Sequence, residues 1–385
     1  MKRISLIAIM ALMGIGSVAA KSSTTLPIVG EVVKATNPLI QYVGRVSFAK
    51  NETASFNFPG TSIFARFQGS SLKMICRPMT GYFMAQVDGC EPFKVGFNAE
   101  RDSVVIVAAA LPKGEHQVKL MYVIEGLFRT PEFRGFVLDK GCSLVKSPDL
   151  PERKIEFIGN SITCGYGVES IEMTDPFEDE TENHWLTYAN IVSDSLNAQH
   201  TSISRSGIGV YRNYDGPKAG SDENMPWQYE YTLFNKHDEK WDFNKYQPQL
   251  VCINLGTNDL STNNYDIALY EKNYRMFLTT VRSKYPNAKI VLITGPMLGE
   301  KESGEQREVL DRICSDANKK GFTLPEEVRK ARKGKNKGDK DIYRFDFTFQ
   351  TGDLGYGASW HPSKLQHQKM ADELLPFLRN LMGWE

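Results

Sequence analysis

The sequence predicts an all-β sandwich followed by an α/β domain built on a parallel sheet. Three observations carry this: short alternating strands from about residue 27 to 147, a strand-helix alternation after Pro148 and Pro151, and the change of period between them. The chain has 385 residues, enough for two cores, because domains usually run about 100 to 200 residues. With 41% hydrophobic and 24% charged residues the composition is that of a folded protein, which excludes disordered and collagen-like chains.

The first twenty residues read as an export signal. Lys2 and Arg3 precede an apolar run from Ile4 to Ile15, and Val18, Ala19 and Ala20 supply the small residues that a signal peptidase needs. Cleavage is expected after Ala20, which places the mature protein in the periplasm or outside the cell. The run is too short for a permanent anchor, no other segment reaches the roughly 20 apolar residues of a membrane span, and no Cys stands at the cleavage site for lipidation. The whole chain has 46 basic and 46 acidic residues, so losing Lys2 and Arg3 leaves 44 against 46, a net charge of −2. Such a balance offers no global field for nucleic acid or an anionic membrane, and neither is expected as a partner.

Over residues 27–147 apolar and polar positions alternate with a period of two. Ile63, Ala65 and Phe67 share one face, as do Leu72, Met74 and Cys76, and again Val118, Leu120, Tyr122 and Ile124. Pro59-Gly60, Asp88-Gly89 and Lys113-Gly114-Glu115 supply the turns between them. Short strands with regular turns argue for an antiparallel sandwich.

Residues 153–385 form the second expected domain. Ile155 to Ile158, Leu250 to Leu255, Ile290 to Thr294 and Ile342 to Phe347 read as buried strands. Between them Ile267, Tyr270, Tyr274, Phe277, Val281 and Tyr285 recur at steps of three and four, which makes one helical face. A last helix is expected from about Ser363 to Met382, with a kink at Pro376. Strand-helix alternation implies a parallel sheet covered on both sides, with a ligand site at the carboxyl ends of its strands.

Four short blocks fall at those ends. The first strand runs into Gly159-Asn160-Ser161-Ile162-Thr163, presenting a serine hydroxyl at the sheet edge. Taken alone, such a serine would be read as a helix cap. Ser206-Gly207 follows a β-like Thr201 to Ile203, Gly256-Thr257-Asn258-Asp259 follows the Leu250 strand, and Trp360-His361-Pro362 stands before the last helix. Together they supply what acyl transfer needs: Ser161 as nucleophile, His361 as base, and the Gly207 N–H with the Asn258 amide as donors to an oxyanion.

In content and in order along the chain these blocks resemble those of the SGNH, or GDSL-type, hydrolases. More narrowly the chain resembles carbohydrate esterase family two, through Glu156-Phe157-Ile158-Gly159, Cys164-Gly165-Tyr166-Gly167, Tyr211-Arg212-Asn213-Tyr214, Met225-Pro226 and Trp360-His361-Pro362-Ser363. The first half joins through Phe56-Asn57-Phe58-Pro59-Gly60, Asp88-Gly89 and Gly114-Glu115-His116. The resemblance implies a jelly-roll-like sandwich before a three-layer SGNH domain. It implies an esterase that removes acetyl groups from plant polysaccharides such as xylan and mannan or their oligosaccharides, with Ser161, Gly207 and Asn258 around the oxyanion. The competing readings are an SGNH lipase or thioesterase for longer acyl chains, and a carbohydrate-binding protein on a decayed esterase scaffold.

Two departures stand out. Asn160 occupies a position usually held by Asp. More consequentially, the Asp expected two or three residues before the base is replaced by Ser359 and Ala358. The expectation is therefore a dyad of Ser161 and His361, as the resemblance allows, with the Ser359 hydroxyl or a nearby carbonyl holding Nδ1–H. Asp353, the nearest upstream carboxylate, is a poor substitute.

Trp360 adjoins the base and is expected to wall the site, while Trp227 and Tyr211 are candidates for a sugar platform, since indole and phenol faces pack on the C–H face of a pyranose. His116, His184, His200, His237 and His367 are expected on the surface or on helix faces. No His/Asp/Glu cluster has metal-ligand spacing, so neither metal nor cofactor is expected. Of six cysteines, Cys252 and Cys314 read as buried thiols, Cys76 and Cys90 as a possible cross-strand pair, and Cys142 and Cys164 carry no assignment. The acidic run over residues 169–182 reads as a solvated loop, with a calcium site as the alternative, and the basic run over residues 329–340 as a surface insertion.

Overall fold

The computed structural model describes residues 28–50, 52–100, 103–321 and 339–385. The expected signal segment and most of the basic run lie outside the described residues.

The first half is two antiparallel sheets face to face. One is built around Leu72–Cys76 and Glu132–Leu138, the other around Ser62–Gly69, Gly114–Tyr122 and Gly81–Val87. Their inward-facing residues alternate as the period of two requires, and Phe56, Phe83 and Tyr122 meet edge to face in the core between them.

The second half is a five-stranded parallel sheet in the order Ala198–Ser204, Arg153–Gly159, Leu250–Asn254, Lys289–Thr294, Ile342–Asp346. Numbered in sequence that order is 2-1-3-4-5, so the direction of winding reverses between Arg153–Gly159 and Leu250–Asn254. The crevice at the carboxyl ends of those strands is where open α/β sheets bind their ligands. Two apolar layers cover the sheet. Ile158, Val251, Ile253, Ile290 and Leu292 face the helices Ile267–Lys284 and Glu300–Lys320. Ile155, Phe157, Leu250, Cys252, Val291 and Ile293 face Tyr188–Ser195 and Lys364–Met382. The last helix carries Pro376 within its span, and Ser363 caps its start by accepting from Gln366 N–H at 3.1 Å.

The sandwich inserts a cation into the second half. Arg45 is buried, its guanidinium lies over the rings of Phe58, Tyr229, Trp241 and Phe243, and its Nη1 donates to the carbonyls of Tyr229 and, at 2.8 Å, Tyr231.

Several sequence expectations need correction. His184, His200 and His367 are interior residues. His184 Nδ1 lies 2.8 Å from the Thr163 carbonyl and its Nε2 3.0 Å from His200 Nε2. A carbonyl can only accept, so Nδ1 of His184 carries the proton and His200 donates to His184. His116 is likewise buried, between Asp88 and the Pro112 carbonyl. All six cysteines are free: Cys76 is buried while Cys90 is exposed, so the pair does not bridge. Cys252 is buried as expected and Cys314 half-buried.

Candidate active site

Ser161 opens a one-turn helix, Ser161–Cys164, directly after the strand Arg153–Gly159. Asn160 caps that turn, its side chain accepting from Ile162 N–H at 3.0 Å, so the residue that departs from the usual Asp still performs the cap. His361 Nε2 lies 2.8 Å from Ser161 Oγ. On the other side of the ring, Nδ1 is 3.0 Å from the Ala358 carbonyl and 3.2 Å from the Ser359 carbonyl. Both partners are obligate acceptors, so Nδ1 is protonated and Nε2 presents a lone pair to the serine.

The Ser359 hydroxyl does not do this work. Its Oγ lies 3.5 Å from both Tyr166 OH and the Asp175 carbonyl, and the main chain replaces the missing carboxylate. Asp353 is exposed and accepts from Thr351 Oγ1 at 2.8 Å. Ser359 and Trp360 hold φ of 50° and 58°, two successive left-handed residues that fold the chain so that the carbonyls face the ring they precede. Each costs about 1 to 2 kcal/mol, and packing supports them. Ala358 N–H donates to the Gly167 carbonyl at 3.0 Å, where any Cβ on Gly167 would lie 2.3 Å from that of Ala358.

Burial lowers the His361 pKa to about 4, with the two carbonyls opposing. Tyr166 stacks on its ring at a centroid distance of 4.1 Å, and Phe177 packs behind Tyr166 at 4.6 Å. Sequence reasoning used Tyr166 only as part of a family block; its position five residues after Ser161 carried no sign of a contact with His361, 195 positions away. The acidic run over residues 169–182 is not simply solvated. Its Met173 carbonyl accepts from Trp360 N–H at 3.2 Å, Glu169 pairs with Lys94, Asp179 pairs with Arg129 at 2.5 Å, and Glu182 is buried.

Three hydrogen-bond donors expected to serve an oxyanion, the N–H groups of Ser161 and Gly207 and the Asn258 amide, stay available in the fold. Gly207 has φ +73°, a conformation that glycine adopts freely, and open space where a side chain would stand. Its carbonyl accepts from Tyr214 N–H at 2.8 Å, while among the described residues neither its N–H nor that of Ser161 finds an acceptor. Asn258 Nδ2 donates one proton to the Ile208 carbonyl at 2.7 Å, which leaves a second. Behind it Asp259 is fully buried and gathers the N–H groups of Val210, Tyr211 and Arg212 at 2.8 to 3.1 Å, joining the loop of Gly207 to that of Asn258. Burial outweighs those donors and raises its pKa to about 6.

The aromatic expectations divide. Trp360, next to His361, is 52% exposed. Tyr211 is only 1% exposed and its hydroxyl accepts from Asp266 N–H at 2.8 Å, so it is a core residue and no sugar platform. Trp227 packs against His237 and Tyr231 of the local hairpin. Tyr214 was not singled out in the sequence as a site residue, yet it is 60% exposed on the Gly207 loop.

Residues 42–148 match the family model for the carbohydrate esterase 2 N-terminal domain, and residues 155–374 match GDSL-like lipase/acylhydrolase. A solved family two carbohydrate esterase from Clostridium thermocellum, in complex with cellohexaose, is 34% identical, with 90% of this chain and 100% of that one covered and a TM-score of 0.79. The chain belongs to carbohydrate esterase family two. Among curated proteins, the cellulase/esterase CelE of Acetivibrio thermocellus is 35% identical over 351 residues, which is 90% of this chain and 40% of that protein. The chain thus spans about two fifths of that relative's length. An acetylxylan esterase / glucomannan deacetylase of Cellvibrio japonicus is 27% identical, with 91% of both chains covered. Among the described residues no helix of this family member is long and apolar enough to cross a membrane.

Proposed function

We propose that this protein is an exported serine esterase that removes O-acetyl groups from plant polysaccharides, xylan, mannan or their oligosaccharides, through an acetyl-enzyme formed by a Ser161–His361 dyad. The observation that carries the reading is the pairing of Ser161 Oγ with an unprotonated His361 Nε2 at 2.8 Å. Ser161 Oγ attacks the acetyl carbonyl as Nε2 takes its proton. The carbonyl oxygen becomes an oxyanion, to which the N–H groups of Ser161 and Gly207 and the free Asn258 proton are directed. Collapse expels the sugar oxygen, which receives the proton from His361. Water then repeats the sequence on the acetyl-enzyme and releases acetate. The imidazolium that forms twice in this cycle is held by the Ala358 and Ser359 carbonyls in place of a carboxylate.

Exposed Trp360 and Tyr214 supply faces for an uncharged sugar ring, and the near-zero charge of the chain agrees with a neutral substrate. The named activity of the Cellvibrio relative supports acetylated xylan and glucomannan as the substrates to try first. Export rests on residues 2–20, and the amino terminus of protein recovered outside the cytoplasm is expected at Lys21.

The test is acetate release from acetylated xylan and glucomannan by the protein and by its Ser161→Ala and His361→Ala variants. Release by the parent alone is expected. A chain-length series peaking at butyrate or longer would select a lipase, and tight glycan binding without acetate release would select a lectin.

A further inference from the structure

The loop that carries Gly207 is held partly by the other half of the molecule. Ser206 N–H donates to Glu125 Oε2 at 2.6 Å. Glu125 lies just beyond the sandwich strand Gly114–Tyr122, 81 positions away in sequence. Its own backbone is fixed on both sides: Val123 N–H donates to the Tyr82 carbonyl at 3.1 Å, and Gly126 N–H to the Asn57 carbonyl at 2.9 Å. Glu125 N–H in turn donates to Glu182 Oε2 at 3.0 Å, and both carboxyl groups are buried.

On the catalytic side the loop is tied at three successive residues. Glu125 takes the Ser206 N–H, the Gly207 carbonyl takes Tyr214 N–H, and the Ile208 carbonyl takes Asn258 Nδ2. Among the loop's backbone N–H groups these ties leave that of Gly207 without an acceptor, and a donor held in place beforehand needs no reorganisation when charge develops. We infer that Glu125, supplied by the β-sandwich, is a positioning residue for the oxyanion donor Gly207, so that the sandwich completes the esterase site rather than merely adjoining it. This rests on the dyad reading above.

A negative carboxylate one residue from an oxyanion donor would oppose catalysis. Burial raises the pKa of both groups, at Glu125 against the Ser206 donors and the Arg205 charge, and so shifts each toward the uncharged form, in which a carbonyl-type oxygen still accepts from Ser206. An amide has the same oxygen at the same reach. The deciding comparison is therefore Glu125→Gln, Glu125→Ala and Glu125→Asp in the full chain, each followed by kcat and KM on acetylated xylan and by its melting temperature.

Glu125→Ala is expected to lose about tenfold in kcat, less than the loss on deleting a donor outright, with KM within about threefold. Glu125→Gln is expected to stay within about twofold of the parent, while Glu125→Asp, one methylene too short, falls with Ala. Where the Ala variant fails to fold, the contrast of Gln with Asp decides alone. Full kcat in the Ala or Asp variant, a loss confined to KM, or a Gln variant as impaired as Ala would overturn the inference. Ser161→Ala run alongside separates the two claims: an active Ser161→Ala removes the dyad reading itself, whereas an inactive one beside a fully active Glu125→Ala removes only the role of Glu125.

Discussion

His361 points Nε2 at Ser161 Oγ across 2.8 Å, while among the described residues its Nδ1 meets only main-chain oxygen, at 3.0 Å from Ala358 and 3.2 Å from Ser359. A carboxylate would raise the pKa of such a histidine; neutral carbonyls do so weakly, and burial prevails. The active tautomer is thus kept at the expense of basicity.

The acid limb of kcat/KM is expected near pH 4, where His361 gains its proton, and not near the 6.5 of a free imidazole. Below that limb Nε2 is protonated and cannot accept from Ser161. A pH series of initial rates on a soluble acetyl ester measures it, and a midpoint at 6.5 would show that the buried, carbonyl-facing state is not the working one.

On its proposed role, in which the spare proton acts on the oxyanion and not on the ground state, Asn258→Ala should reduce kcat by about 10² to 10³ with KM little altered. Steady-state kinetics on acetylated glucomannan decide it. A change confined to KM would place Asn258 in substrate binding instead.

Removing the ring beneath the base should loosen it. Stacked aromatic pairs contribute about 0.5 to 1.5 kcal/mol, so Tyr166→Ala is expected to lose roughly threefold to tenfold in kcat/KM. Tyr166→Phe keeps the 4.1 Å stack and should remain close to the parent. Equal losses in the two variants would instead assign the effect to the hydroxyl.

The His184–His200 pair should make stability fall on acidification. Burial lowers the pKa of His184 to about 4 and that of His200 further below its ordinary value. Between pH 6.5 and about 4 the unfolded chain therefore binds protons that the folded one refuses, and stability is lost as pH drops through that window. Glu125 and Glu182 act in the opposite sense, so the comparison must be differential. Against His200→Gln, the parent should lose about 1.4 kcal/mol more per pH unit in urea melts. Parallel curves would show that His200 does not titrate on unfolding.

The candidate site was legible where each signal was local. Ser161, Gly207, Asn258 and His361 each follow a strand or precede a helix, and pattern alone locates the ends of strands. What orients His361 was only half legible: loss of the Asp was visible, but the acceptor is a pair of carbonyls, and every residue has one. Tyr211 was misjudged because an aromatic in a loop near Gly207 looks the same whether its ring faces a sugar or the core. Tyr214, three residues on, took the exposed position. The buried histidines, His116, His184, His200 and His367, failed for a related reason, since imidazole is compatible with either environment and its burial depends on partners such as Thr163 O, which only folding brings near.

By itself the sequence determined a sandwich followed by a parallel α/β sheet, and the set of groups at one sheet edge, because periodicity and strand ends are properties of contiguous residues. Only the tertiary structure decided that main-chain oxygens replace the missing acid, that Tyr166 braces the base, and that Glu125 reaches across from the sandwich to the Gly207 loop. The last two join residues 195 and 81 positions apart. They depend on left-handed turns, burial and the closure of two layers against each other, none of which leaves a local pattern to read.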